Sequence, residues 1–114
     1  KQAINNEEIF YAQDTTTDIT YVADMVNALQ LVIEGSADNE TFNISSEQTL
    51  TLKKLAEQIT QHYNSTSKMI PVSREKYFPN RGSLKINKIT DTLKYKSKFD
   101  LEGALKDIDP NTIH

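Results

Sequence analysis

Four basic side chains lie close together in residues 81–95, RGSLKINKITDTLKY. They are Arg81, Lys85, Lys88 and Lys94, in a chain whose formal net charge at pH 7 is −3. Cationic groups at this spacing could contact nucleic-acid phosphates, bind the phosphate groups of a small ligand or cover the solvent face of a helix. Which of these three applies decides the class of function.

The basic residues belong to one half of the chain. Residues 1–67 hold 3 basic and 10 acidic residues, whereas residues 68–106 hold 10 basic and 4 acidic ones. A sequence pI near 5.3 argues against a nucleic-acid module, because such domains are usually basic overall. A charge cluster without interleaved aromatic residues is most often a solvated face.

Composition excludes several kinds of site. The 114 residues suffice for one domain with a modest core. There is no cysteine, and His62 and His114 are too far apart for a metal site or a catalytic triad. With only three glycines, no glycine-rich loop can bind phosphates at a helix N-terminus.

The sequence gives no sign of a membrane or secretory segment. It has no apolar run near 18 residues and no signal peptide, and the absence of cysteine fits a reducing compartment. We therefore expect a cytoplasmic location and no membrane partner. The chain begins at Lys1 without a methionine, and we expect a fragment of a longer protein.

The first half of the chain alternates between strand-like and helical patterns. EIFYA (8–12) and DITYV (18–22) predict two strands, which the polar QDTTT turn between them would join as a hairpin. Asp24 then suits the N-cap of a helix ending at Gly35, where a left-handed C-cap residue belongs. The expected apolar face of that helix consists of Met25, Ala28, Leu29, Val32 and Ile33.

The second half continues the alternation. TFNIS (41–45) and KMIPV (68–72) predict two more strands, Thr51 caps an amphipathic helix, and Asn87 and Asp100 cap two short closing helices. The fold class is therefore α/β with the element order ββαβαβαα. Because such an alternation usually needs more strands to cover its helices, we expect part of a larger α/β protein.

Three stretches carry a family resemblance in the correct order. DITYVADMVNAL is similar to an Asp-aromatic-x-Tyr-Val-x-Asp junction, and TFNISSEQTLTLKKLAEQI to an Asn-containing strand, a polar loop and a capped helix. RGSLKINKITDTLKYKSKFDLEGAL is similar to a closing segment in which an Arg leads into a capped helix. Together they resemble the C-terminal part of the extended short-chain dehydrogenase/reductase family, the NAD-dependent nucleotide-sugar epimerases and dehydratases.

The resemblance implies a fold and an absence of catalytic groups. Residues 1–114 would form a single substrate-binding portion, the C-terminal, substrate-side fragment of an extended Rossmann-type epimerase. The family's dinucleotide-binding glycine motif and catalytic Tyr-x-x-x-Lys precede this portion, and neither pattern occurs here. The resemblance thus implies NAD or NADP in the full-length protein, no cofactor or catalytic residue in this chain, and no activity of the chain alone.

The resemblance also implies four substrate-binding residues. Arg81 lies where the family commonly has an Arg that meets the diphosphate of a nucleotide sugar, a role suited to a bidentate guanidinium. Phe10 lies where an aromatic packs near the nucleotide base, with Tyr11 as the weaker candidate beside it. The alternative for Phe10 is simple core packing. Thr17 occupies the position of a second phosphate-binding Arg in many members.

Other features depart from the family or have structural explanations. Thr17 supplies no cation, and the loss of one of two cationic contacts should weaken diphosphate binding by about 1 kcal/mol or more. Tyr11 and Gln13 replace the glycines of the preceding turn, and the closing turn LKYKSKF lacks its usual Gly and Pro. Lys85 and Lys88 are interpreted as solvated side chains, and Asn43 as a residue that satisfies local backbone groups.

Two further functions stay open at this point. The chain could be a stand-alone, non-catalytic binding or interaction domain derived from the same fold, or a small nucleic-acid binder that uses the basic half. The leading interpretation is the substrate-binding part of an NAD(P)-dependent nucleotide-sugar epimerase, dehydratase or reductase. Its expected partners are a nucleotide sugar and a missing N-terminal dinucleotide-binding domain, with no nucleic acid. Bare helix faces predict a homo-oligomer of the isolated chain.

Overall fold

The computed structural model describes residues 1–74 and 82–113. Its strands are β1 (Ile9–Ala12), β2 (Thr16–Asp18), β3 (Thr49–Thr51) and β4 (Met69–Val72). Its helices are α1 (Val22–Glu34), α2 (Leu52–His62), α3 (Asn87–Leu93) and α4 (Leu101–Asp107), followed by a 3₁₀ turn at Pro110–Thr112. The element types follow the predicted order ββαβαβαα, and the α/β class is confirmed.

The strands form two separate pairs. β1 runs parallel to β4, with Ile9 opposite Met69 and Ala12 opposite Val72. β2 runs antiparallel to β3, with Asp18 opposite Thr49. The predicted hairpin of the first two strands is therefore wrong, because each of them finds its partner far along the chain.

Two strands lie at other residues than predicted. The second strand is Thr16–Asp18 rather than residues 18–22, and the third is Thr49–Thr51 rather than residues 41–45. Phe42 and Ile44 instead pack against the hydrophobic core without joining a strand ladder. Alternating burial of two apolar side chains produced the strand-like pattern there.

Helix α1 starts earlier than predicted and has two apolar faces. It begins at Val22 with Tyr21 as its N-cap residue, so the N-cap assigned to Asp24 is wrong. Asp24 lies in the first turn, on the buried face that also holds Ala28. The opposite side of α1 carries an exposed apolar stripe, which consists of Val22, Met25, Val26, Leu29 and Ile33.

Gly35 ends α1 for a different reason than expected. Its backbone is extended, with φ −88° and ψ 175°, so the predicted left-handed conformation is wrong. A Cβ atom at this position would lie 2.6 Å from Leu93 Cδ2 and 2.8 Å from the Leu31 carbonyl oxygen. The Leu93 side chain could move aside, but the backbone oxygen of Leu31 could not, so this helix end favours a glycine.

Of the other three N-cap predictions, two are confirmed and one is wrong. Thr51 accepts a hydrogen bond from Lys54 N at 3.1 Å, and Asp100 accepts one from Gly103 N at 2.7 Å. Helix α3, in contrast, has Ile86 as its N-cap residue and no side-chain cap, so Asn87 is its first helical residue. Caps of this kind stabilise a helix by about 1 kcal/mol each.

The main core lies between α1 and the closing segment. It consists of the buried residues Ala28, Ile86, Ile89 and Tyr95, with Leu31, Phe42, Ile44 and Leu93 packed against it. The apolar spacing along α3 places Ile89 and Leu93 together on this inward side. Helix α2 packs separately against β1 and α4, so the chain has two small packing centres.

The chain has more surface than a compact domain of its size. Its radius of gyration is 16.4 Å, compared with about 13 Å expected for 114 residues. Its accessible surface is 8058 Å², compared with about 6,300 Å² expected for 13.0 kDa. The larger radius and surface area agree with the expectation that helix faces of this chain are left exposed.

Replacing Lys94 by Gly should stabilise the chain. Lys94 ends α3 in the left-handed conformation with φ 56°, which costs a non-glycine residue about 1 kcal/mol or more. We expect Lys94→Gly to raise the thermal midpoint by about 4 °C or more. Lys94→Ala is the control, because it also loses the bond from Lys94 Nζ to the Asp91 carbonyl but keeps the unfavourable conformation. Equal midpoints for the two variants would contradict this explanation.

Candidate functional site

The carboxyl ends of β1 and β4 meet the start of α2. Gln13 N donates to the Val72 carbonyl at 2.9 Å, which continues the strand pairing, and Leu52 N donates to the Thr15 carbonyl at 2.9 Å. In open α/β sheets, ligands bind outside the carboxyl ends of parallel strands. This edge is therefore where a bound molecule is expected.

A large apolar cavity lies between the β1–β4 pair and α2. Its volume is about 610 Å³, and its lining includes Ala3, Ile9, Phe10, Tyr11, Leu55 and Val72. Phe10 is 57% exposed, so its ring lies outside the core that the described residues form. The two aromatic residues predicted for base contact thus border one cavity.

A smaller and more polar cavity lies at the carboxyl end of β1. It has a volume of about 330 Å³ and is lined by Tyr11, Gln13, Asp14, Thr51 and Lys53. Tyr11 borders both cavities. This position gives Tyr11 access to an apolar group on one side and to a polar group on the other.

Asp18 connects β2 to two distant segments. Its Oδ2 accepts from the Ser45 hydroxyl at 2.5 Å and from Leu84 N at 3.0 Å. Ser45 is buried and its hydroxyl also accepts from Glu47 N at 2.8 Å. The contact brings the start of the closing segment beside β2. Sequence reasoning missed Asp18, although it opens the first family-like stretch.

The four predicted substrate-binding residues have different outcomes. Phe10 and Tyr11 lie together on β1, and half-buried Thr17 lies on β2 next to Asp18. Thr17 is not among the residues that line the two cavities. Arg81 lies outside the described residues. Leu84, which contacts Asp18, follows Arg81 by three positions.

Lys88 already has a partner of opposite charge. Its Nζ lies 2.5 Å from Glu40 Oε2 and 5.2 Å from the centre of the Phe42 ring. The pair is about half exposed, so it contributes little to stability. Its position agrees with the interpretation of Lys88 as a surface residue.

Asp24 fixes the turn that follows α3. Its carboxylate is fully buried and accepts from Ser97 Oγ at 2.6 Å, Lys98 N at 2.8 Å and Phe99 N at 3.2 Å. Tyr95, also fully buried, has a hydroxyl without a hydrogen-bond partner in the described chain. Burial, and secondarily the Asp24 charge, raises the pKa of Tyr95 above 10.0.

Residues 1–74 and 82–113 contain neither a cluster of metal-ligating side chains nor a membrane-spanning helix. Within these ranges no group of three His, Asp or Glu side chains could hold a metal ion. No helix within them has the length and apolar character needed to cross a membrane.

The chain is similar to part of a curated sugar-nucleotide enzyme. It is 32% identical over 81 residues to the UDP-N-acetyl-alpha-D-glucosaminuronate decarboxylase of Bacillus cytotoxicus. The match covers 71% of this chain and 25% of the decarboxylase. No family model matches the chain.

Solved structures share its fold over nearly the whole chain. The UDP-glucose 4-epimerase of Thermotoga maritima, solved with UDP-glucose, has a TM-score of 0.83 at 26% identity and is matched over 92% of this chain. The UDP-glucuronic acid 4-epimerase of Bacillus cereus, solved with UDP-glucuronic acid and NAD, has a TM-score of 0.81 at 16% identity. The chain spans 34% and 35% of these structures, about a third of their length.

Tyr95→Phe should reduce the fall in the free energy of unfolding that occurs at high pH. Because the folded chain holds the pKa of Tyr95 above its unfolded value of 10.0, the contribution of Tyr95 is complete below pH 10 and disappears as pH rises through the folded pKa. Near pH 7 the substitution should be nearly neutral or stabilising, since the buried hydroxyl has no described partner.

The measurement is urea unfolding of both proteins from pH 7 to 11. We expect the free energy of unfolding of Tyr95→Phe to fall less steeply above pH 10 than that of the unmodified chain. Parallel curves over the whole range would contradict the role assigned to Tyr95.

Proposed function

The chain belongs to the extended short-chain dehydrogenase/reductase family of NAD-dependent nucleotide-sugar epimerases and dehydratases, and from that premise we propose that it is the substrate-binding part of such an enzyme. In this role it holds the nucleoside diphosphate and orients the sugar so that the reacting carbon faces the nicotinamide. Orientation of this kind is a large part of catalysis in two-reactant enzymes. The chain alone is inactive.

The Asp18 contact carries this proposal. A carboxylate that accepts from both the Ser45 hydroxyl and Leu84 N holds the closing segment beside β2. Thr17 precedes Asp18 and Arg81 lies three residues before Leu84. The contact therefore supports a phosphate-binding edge to which Thr17 and Arg81 belong, with Arg81 as its cation.

The apolar cavity supports a base-binding role for β1. A nucleotide base needs an apolar surface for its faces and polar groups for its edge. At the carboxyl end of β1, Tyr11 borders the apolar cavity and the polar one, and the Phe10 ring is exposed beside it. We propose that the base contacts both aromatic residues there.

The cofactor belongs to another part of the protein. Dinucleotide pyrophosphates are bound by a glycine-rich turn between a strand and a helix. In this chain Gly35 follows α1, Gly103 lies inside α4 and Gly82 precedes α3 by five residues, so its residues do not fit NAD or NADP. We propose that a dinucleotide-binding portion of the full-length protein supplies the cofactor and the catalytic groups.

Helix α1 supplies a surface for that portion. Its exposed apolar stripe contains no charged side chain, and Ile33 within it is 83% exposed. A helix that is apolar on two opposite sides is usually buried between two layers. We propose that the dinucleotide-binding portion covers this stripe.

The chain should bind a nucleoside diphosphate without binding NAD. Calorimetric titrations with UDP, dTDP, GDP and NAD are expected to give heat with at least one nucleoside diphosphate and none with NAD. Arg81→Ala should weaken that binding by about 10- to 150-fold, because a charged hydrogen bond is worth about 1.5–3 kcal/mol.

Arg74→Ala is the matched control, since Arg74 is exposed and lies on the same connection after β4. It should leave the affinity unchanged. Thr17→Arg, placed in the Arg81→Ala chain, should recover part of the lost affinity by supplying a cation on β2. Equal affinities for Arg74→Ala and Arg81→Ala, or heat with NAD alone, would contradict the proposed function.

The isolated chain should self-associate through the α1 stripe. When the dinucleotide-binding portion is absent, the exposed stripe of five apolar side chains favours contact between two copies of the chain. Leu29→Lys should lower the weight-average mass measured by light scattering at high concentration. Gln30→Lys adds the same charge to an exposed position of α1 outside the stripe and should leave the mass unchanged. A monomer at all concentrations before any substitution would contradict this prediction.

A further inference from the structure

Residues Lys1–Glu7 have the hydrogen bonds of a helix end. Asn5 N donates to the Lys1 carbonyl at 3.1 Å, Asn6 N to the Ala3 carbonyl at 3.3 Å and Glu7 N to the Gln2 carbonyl at 2.9 Å. Asn6 has φ 56°. A left-handed residue with bonds across three and five positions is the Schellman motif that terminates α-helices. Lys1–Asn5 therefore has the bonding pattern of the last turn of a helix.

This turn is fixed to the rest of the fold. Asn6 Oδ1 accepts from Thr66 N at 2.8 Å and from the hydroxyls of Ser65 and Thr66 at 3.3 and 3.1 Å. Ala3 is 3% exposed. Since one side of the turn is buried, the direction of a helix that ends here is determined by the fold.

The buried side of the turn borders the large apolar cavity. Lys1, Gln2 and Ala3 line it together with Ile9 and the apolar stripe of α2, which consists of Leu52, Leu55, Ala56 and Ile59. Three of these four α2 residues are only half-buried. An amphipathic helix needs a second apolar surface opposite such a stripe, and β1 covers only part of it.

We propose that this cavity is the seat of the helix whose last turn is Lys1–Asn5, and that the helix packs its apolar side on α2 and on the amino end of β1. The occupant is an intramolecular helix because the motif that terminates it already lies in the cavity wall. A second copy would have to enter beside a turn that is bonded in place.

The helix and the proposed nucleotide base use different ends of the cavity. The start of α2 lies at the carboxyl end of β1, as the bond from Leu52 N to the Thr15 carbonyl requires. The turn contacts residues 65–67, which follow α2 and lead into β4. The helix therefore fills the amino end of the β1–β4 pair. The carboxyl end, with Phe10, Tyr11 and Val72, remains for a ligand.

The test is an extension of the full chain by a helix of twelve residues before Lys1. One version carries Leu at four and at seven positions before Ala3, the positions that share its face. The control version has the same composition, with both Leu residues moved to the opposite face. We expect the first version to have a thermal midpoint higher than the control by at least about 5 °C.

Two further readouts connect the expected rise in thermal midpoint to the cavity. Hydrogen exchange at the amides of Asn5, Asn6 and Glu7 should be slower in the first version than in the control. Leu55→Ala, in the cavity wall, should narrow the difference in midpoint, whereas Leu29→Ala, on the exposed stripe of α1, should leave it unchanged.

Equal midpoints and exchange rates in the two extended chains would overturn the proposal, and so would a difference that Leu55→Ala leaves intact. None of these readouts involves a nucleotide. A failure here is therefore distinct from a failure of the proposed function, which the UDP titration tests.

Discussion

Two carboxylates, half-buried Asp18 and fully buried Asp24, hold the closing segment of this chain against its first half. Asp18 accepts from Leu84 N before α3 begins, and Asp24 accepts from Ser97, Lys98 and Phe99 after it ends. Hydrogen bonds to charged groups are worth about 1.5–3 kcal/mol each. Helix α3 is only seven residues long and would not form alone. Its position, and with it the core around Ile89 and Tyr95, depends on these contacts.

The surface of the chain shows where other structure is needed. The outer stripe of α1, the exposed Phe10 ring and the cavity beside α2 are apolar surfaces that the described chain leaves open. Known structures with the same fold are about three times longer than the stretch they share with it. In the proposed arrangement, the cavity beside α2 belongs to an upstream helix, the α1 stripe to the dinucleotide-binding portion and the Phe10 ring to the nucleotide base.

Sequence patterns correctly predicted the features that depend on residues close together in the sequence. The caps at Thr51 and Asp100, the stripe of α2 and the inward positions of α3 each follow from residues within one or two turns. The errors at Asp24 and Gly35 share a non-local cause. Asp24 has the sequence context of an N-cap, but its hydrogen-bond partners lie 73 to 75 residues away. Gly35 has the context of a left-handed cap, but Leu93 packs against it.

The candidate site was predictable only in part for the same reason. Phe10 and Tyr11 border a common cavity, although neighbouring side chains of a strand point to opposite faces of the sheet. Asp18, which brings β2 to the closing segment, gave no local signal. The most direct test of the account is an NMR titration of the isotope-labelled chain with UDP. The account predicts amide shifts confined to β1, to Thr17 and Asp18 on β2, and to the segment around Leu84. Shifts centred on α2 and α4, around Gln58, His62 and Glu102, would contradict it.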